Sequence, residues 1–151
     1  MSLTRAAAHL KRADPTLARV IRRVGPCLFA PRREGTHFDA VLRAIVYQQL
    51  SGKAAGTILG RVHGVYGGRS PTPDELLATP EETLRAAGLS RQKQGYARDL
   101  AAKVAAGAVP VDALDELDDE AIIAALTSVK GVGRWTAQMF LMFRLGRLDV
   151  L

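Results

Sequence analysis

The sequence predicts an all-α fold, a compact bundle of short helices in which two helices meet at a tight hairpin. Apolar residues recur at helical spacing through most of the 151 residues. Nearly every such run has a capping residue before it and glycine or proline after it. No stretch alternates apolar and polar residues as a half-buried strand does.

Asp14-Pro15 is an N-cap ahead of a proline at the first helical position, and Leu17, Val20, Ile21 and Val24 then share one face until Gly25-Pro26 stops the run. Thr36 with Asp39 resembles a capping box. The stripe Phe38, Val41, Leu42, Ile45 and Val46 behind it marks the central buried helix. Ser51-Gly52 restarts the chain into a helix bearing Ala54, Ala55, Ile58, Leu59 and Val62, which stops near Gly64 to Gly68. Two short helices each open with Thr-Pro and an acid at the third helical position, Thr72-Pro73 with Glu75 and Thr79-Pro80 with Glu82. Ser90 caps a longer helix carrying Tyr96, Ala97, Leu100 and Val104, ended by Gly107 and Pro110. Asp118 caps the helix of Ile122, Ile123 and Leu126 that enters the hairpin.

This length suits one domain, 1–151. Lys plus Arg outnumber Asp plus Glu by 21 to 15, giving a charge of +6 and a pI near 10.0, the range of nucleic-acid binders. Residues 1 to 33 hold eight bases against Asp14 alone, and residues 112 to 120 hold six acids, so the sequence reads as one basic face and one solvated acidic face. Cys27 is the only cysteine, which excludes an intrachain disulfide and any four-cysteine cluster. No apolar run reaches membrane-span length and no signal-peptide core opens the chain, so an intracellular, cytoplasmic protein is expected, with no membrane partner. His9, His37 and His63 lack metal-ligand spacing, and no P-loop or dinucleotide fingerprint occurs.

Three stretches carry candidate chemistry. In the first, Val129 precedes Lys130-Gly131-Val132-Gly133, and Arg134, Trp135, Thr136 and Ala137 open a second helix with Met139, Phe140 and Phe143 at helical spacing. Two glycines allow a sharp turn with positive φ, and the following helix start offers unpaired N–H donors to a phosphate. Lys130, Arg134, Arg144 and Arg147 add charge, with no carboxylate between 130 and 147. In the second, Tyr47-Gln48-Gln49-Leu50-Ser51 crowds polar side chains at the end of a helix that should be buried; either backbone satisfies them or they face a ligand. In the third, Arg91, Lys93 and Arg98 surround the helix start capped by Ser90, and an ordinary capped surface helix reads equally well there.

The run V-K-G-V-G-R-W-T-A resembles the helix-hairpin-helix signature of the DNA glycosylase superfamily, and its pattern is closest to the 3-methyladenine DNA glycosylase II branch. The likeness of layout extends from about Leu17 to Leu151. It implies a base-excision repair enzyme that flips alkylated purines such as 3-methyladenine out of damaged double-stranded DNA. Gln49, with Leu50 next, matches the side chain that fills the gap in the stack, and Ser51 lies in the loop that enters the minor groove. Arg91 and Lys93 match a second strand contact, while Lys130, Gly131, Gly133, Arg134 and Thr136 would hold a phosphate. Trp135, Gln48, Met139 and Tyr47 would wall the base pocket.

Trp135 stands where lyase-capable members of the family carry an attacking lysine. An indole forms no Schiff base, so the resemblance implies a monofunctional, water-using glycosylase. A packed core tryptophan is the alternative. The family's catalytic aspartate follows an L-D-V segment and a proline; Leu148-Asp149-Val150-Leu151 matches that approach, so the carboxylate is expected beyond Leu151 and the domain is expected to be truncated before it. No catalytic residue is assigned within the chain. No cofactor or resident metal is expected, except that the family implies a monovalent cation on the hairpin carbonyls of Lys130 to Gly133. A monomer is expected. The rival reading is a non-catalytic helix-hairpin-helix module that grips DNA backbone.

Overall fold

A computed structural model describes residues 2–150. Nine α-helices follow one another in it, and no strand occurs among the described residues. They are α1 (Leu3–Ala13), α2 (Pro15–Val24), α3 (His37–Tyr47), α4 (Gly52–Val65), α5 (Pro73–Ala78), α6 (Glu81–Ala86), α7 (Arg91–Ala105), α8 (Asp119–Thr127) and α9 (Arg134–Phe140). Most helix starts use the caps the sequence offers: the side chains of Asp14, Thr36, Ser51, Thr72, Ser90 and Asp118 each accept from a backbone N–H in the first turn.

The stripe on α3 lies at the centre. Phe38, Val41, Leu42, Ile45 and Val46 are all buried, against α4, α7 and α9. Each fully buried aliphatic side chain there contributes roughly 1.5–3 kcal/mol. α7 supplies Ala97, Leu100 and Ala101 to the same core, and α8 supplies Ile122, Ile123 and Leu126.

Four features depart from the sequence pattern. Leu3–Ala13 is a helix, capped by Ser2, that the apolar spacing does not announce. The apolar face of α2 packs on α1 and is otherwise open, leaving Leu17, Val20 and Val24 exposed. Thr79 does not cap α6. Its hydroxyl donates to the Glu75 carbonyl and meets the Tyr66 hydroxyl at 2.7 Å, and α6 starts after Pro80 with no side-chain cap. Finally, the acid-rich run begins as a 3-10 turn, Val111–Glu116, and α9 widens into a π-helical turn, Leu141–Leu145. Within that turn Arg144 is buried, donating to the carbonyls of Arg32, Glu34 and Gly35 and to His37 Nδ1. It pins the segment between α2 and α3.

At α5, Thr72 and Glu75 form a reciprocal capping box, and Arg69 holds both Glu75 oxygens. The Arg69 hydrogen bond and the Thr72 amide lower the Glu75 pKa to about 2. A carboxylate whose folded pKa is depressed contributes stability above its unfolded pKa and loses it as pH falls toward the folded value. Glu75→Gln is therefore expected to melt below the wild type at pH 6. The gap should narrow as pH falls from about 4 toward 2, where the folded-state carboxylate is half protonated, and close only below that; a gap that persists unchanged in melting curves across that range would exclude this role.

Candidate nucleic-acid interface

The hairpin is short because α8 ends at Thr127 and α9 begins at Arg134. Gly131 has φ +77°, a region that favours glycine, and a Cβ there would come within 2.3 Å of the Tyr96 ring on α7. Gly133 differs. Its φ of −92° suits any residue, and a Cβ there would meet no protein atom within 4 Å. Only Gly131 bears out the expectation of positive φ; the bareness of Gly133 opens the start of α9 to an outside group. No side chain caps that start, and the amides of Arg134 and Trp135 have no acceptor among the described residues.

The loop after α3 stands next to the hairpin and is tied to it. Gln48 Nε2 donates to the Gly131 carbonyl at 2.7 Å. Gln49 has φ +56°, the only non-glycine positive φ among the described residues, and it is exposed, as is Leu50. A glutamine held in the left-handed region costs on the order of 1 kcal/mol, a strain found mostly where a side chain must be aimed.

Both pieces rest on α7. Lys93 Nζ donates to the carbonyls of Val46 at 2.6 Å and Gln48 at 2.7 Å, closing the C-terminal end of α3. Burial lowers the Lys93 pKa. Two turns on, Asp99 Oδ2 accepts from the Lys130 amide at 2.8 Å and from Lys103 Nζ at 2.8 Å, and Lys103 Nζ also donates to the Ser128 carbonyl. Burial pushes the Asp99 carboxyl up, but those hydrogen bonds outweigh it and hold the group below the usual carboxylate range.

Beside the loop and the hairpin a cavity of about 720 Å³ opens between α3, α9 and the segment before α3. Tyr47, Val132, Thr136, Met139 and Phe143 line it on the hairpin side. Asp39, paired to His63 at 3.0 Å, and Arg43, which donates to the Tyr47 hydroxyl at 2.9 Å, also line it. The volume is ample for a nucleobase.

Residues 42–149 match the HhH-GPD superfamily of base excision DNA repair proteins. The chain belongs to that superfamily. It is 35% identical to DNA-3-methyladenine glycosylase 1 of Schizosaccharomyces pombe over 99% of this chain and 67% of that protein. A solved 3-methyladenine DNA glycosylase of Schizosaccharomyces pombe, in complex with abasic DNA, superposes with a TM-score of 0.82 at 34% identity, covering 97% of this chain and 73% of that one. A DNA-3-methyladenine glycosidase structure from Bacillus halodurans gives 0.76 at 41% identity over 82% and 57%.

On this HhH-GPD scaffold the residues singled out from sequence fall into three groups. Tyr47, Thr136 and Met139 line the cavity. Gln49, Leu50, Ser51, Arg91, Lys130 and Gly133 are exposed near the hairpin or at the start of α7. The rest are placed differently. Gln48 bonds the hairpin instead of lining the cavity, and Lys93 is turned inward onto α3 carbonyls. Trp135 lies outside the cavity lining, 69% exposed on the outer surface of α9, so it is not a packed core residue either.

Arg134 is paired with Glu120, and Arg147 lies 3.5 Å from Asp119. The stretch without carboxylates is thus met by carboxylates from α8, while the acidic run stays largely solvated, with Asp119 alone of its acids half-buried. Arg98 likewise donates to the carbonyls of Leu77 and Thr79. Arg43 carries no signal in the sequence, and Asp39, His63 and Arg144 read there as a cap residue, an isolated histidine and a hairpin charge, because nothing in their spacing shows that α3, α4 and the turn after α9 converge on one cavity.

The two hairpin glycines should separate cleanly on substitution. Gly131→Ala should cost about 2 kcal/mol or more in denaturant unfolding, from strain and the clash with Tyr96. Gly133→Val should leave stability within about 1 kcal/mol but weaken binding to an abasic duplex at least about tenfold. Equal affinity for Gly133→Val and wild type would remove the hairpin from the interface.

Proposed function

We propose that this protein is a monofunctional base-excision DNA glycosylase that hydrolyses the N-glycosidic bond of alkylated purines such as 3-methyladenine in duplex DNA. The observation that carries the reading is one juxtaposition: a bare hairpin, a strained glutamine and a cavity occupy neighbouring positions on one side of the fold. The hairpin amides would take a backbone phosphate, fixing the duplex without reading its sequence. Gln49 would enter the stack as the damaged nucleotide leaves it. Extrusion costs a few kcal/mol, and less for a lesion that pairs poorly, which supplies part of the selectivity.

The extruded base would lie against Tyr47 and Met139, a π face and a polarisable sulfur suited to an electron-poor, cationic purine. Trp135, on the outer side of α9, would meet the DNA near the gripped phosphate and not the base from within the cavity. Water would then cleave the bond. The carboxylate that would stabilise the oxocarbenium-like sugar is expected after Leu151, outside the described residues, so no residue within 2–150 is given that task. The partner is damaged duplex DNA, bound by a monomer inside the cell. No helix among the described residues is long and apolar enough to cross a membrane.

A non-catalytic module that merely grips backbone needs no cavity beside its hairpin, so the lined space favours the enzyme. Incubating the protein, with whatever residues its gene encodes after Leu151, with methylated duplex DNA should release free 3-methyladenine, detected by chromatography. Binding without base release would leave only the module. Breaking the exposed Glu120 pair should also free Arg134 for phosphate: Glu120→Gln is expected to tighten duplex binding on the order of two- to fivefold and to steepen its salt dependence. Weaker binding by that variant would contradict a phosphate role for Arg134.

A further inference from the structure

A monovalent cation on hairpin carbonyls must gather several oxygens in place of its hydration shell. Most of the carbonyls from residue 128 to 133 are already engaged. Ser128 accepts from Lys103 Nζ, Val129 from the Val132 amide at 3.1 Å, Gly131 from Gln48 Nε2 at 2.7 Å and Gly133 from the Ala137 amide at 3.1 Å. Among residues 128–133 that leaves Lys130 and Val132 without a described partner. Each carbonyl keeps a second lone pair. Two free carbonyls, however, fall short of the several oxygens such an ion gathers, and the Ser128 carbonyl already holds the Lys103 ammonium. The residues present do not fit a metal ion.

The same ammonium belongs to a clamp. Lys103 and Asp99 lie one turn apart on α7 and pair at 2.8 Å. Lys103 holds the carbonyl of Ser128, and Asp99 holds the amide of Lys130, so the two ends of the first hairpin turn are fixed to one helix. The pair is only partly exposed, at 29% for Lys103 and 17% for Asp99. It does for the geometry of the turn what a carbonyl-bound ion would do, and Tyr96 beneath Gly131 completes the support.

We propose that the Asp99–Lys103 pair takes the place of a monovalent cation at this hairpin, so that phosphate binding needs no metal ion. Lys103 is a positioning residue: it touches the hairpin and not the DNA. The inference rests on the hairpin being the DNA-binding element, and the test separates the two ideas.

Affinity for an abasic duplex, read by fluorescence anisotropy, would be compared in potassium, sodium and choline chloride at one ionic strength, which keeps counterion release constant. Wild-type affinity should agree within about twofold among the three salts. Affinity at least about fivefold tighter in potassium or sodium than in choline would overturn the proposal, whereas no binding in any salt would instead sink the functional reading. Lys103→Met should bind about tenfold more weakly at a temperature where circular dichroism shows it folded, and Lys103→Arg should recover most of the loss. Unchanged affinity of a folded Lys103→Met would also overturn the proposal. Should Lys103→Met fail to fold, Asp99→Asn serves the same comparison, and the wild-type salt series stands without either.

Discussion

The interaction on which the rest depends is the set of side-chain bonds by which α7 holds two irregular pieces of backbone. Turns with bare amides and a strained glutamine do not keep their shape alone; they pay in conformational entropy and in unsatisfied polar groups. Here Lys93 closes the end of α3, Asp99 and Lys103 grip the entry to the hairpin, and Tyr96 fills the space under Gly131. Leu100 and Ala101, both buried, anchor the same helix in the core. The Gln48 amide then links the two pieces directly across 2.7 Å.

This arrangement changes the role of several charged residues. A basic protein with a pI near 10.0 invites the idea that its cations face DNA. In the fold, Lys93, Arg98, Lys103 and Arg144 all spend donors on backbone carbonyls, and Arg134 shares a carboxylate on α8. Fewer cations near the hairpin and the start of α7 are exposed without such a partner: Arg91 and Lys130, with Lys53 on α4 nearby in sequence to Ser51. Affinity would then rest on amides and geometry as much as on charge.

Much of the architecture was legible in the sequence because it is written in local signals. The caps at Asp14, Thr36, Ser51, Thr72, Ser90 and Asp118 each act within one turn of their own residue, and the α3 stripe has one dominant period. The hairpin was legible for the same reason, with both glycines within three residues of the start of α9. What could not be read depends on distance across the fold. Nothing in L-S-R-Q-K-Q reveals that Lys93 meets Val46, 47 positions away, and nothing near Trp135 says which side of α9 faces the cavity. Thr79 shows the limit even locally: its neighbours spell a cap, but the Glu75 carbonyl and the Tyr66 hydroxyl compete for it and win.

Held by α7, the loop of Gln49 and the hairpin of Gly133 are already in register before DNA arrives. Spin labels at Gln49 and Lys130, in a protein whose exposed Cys27 has been replaced by serine, would report the distance between them by pulsed electron resonance. One narrow distribution that stays in place when an abasic duplex is added is the predicted result. A broad distribution in the free protein that sharpens or shifts on binding would contradict the account, because α7 would then not be holding the two pieces together.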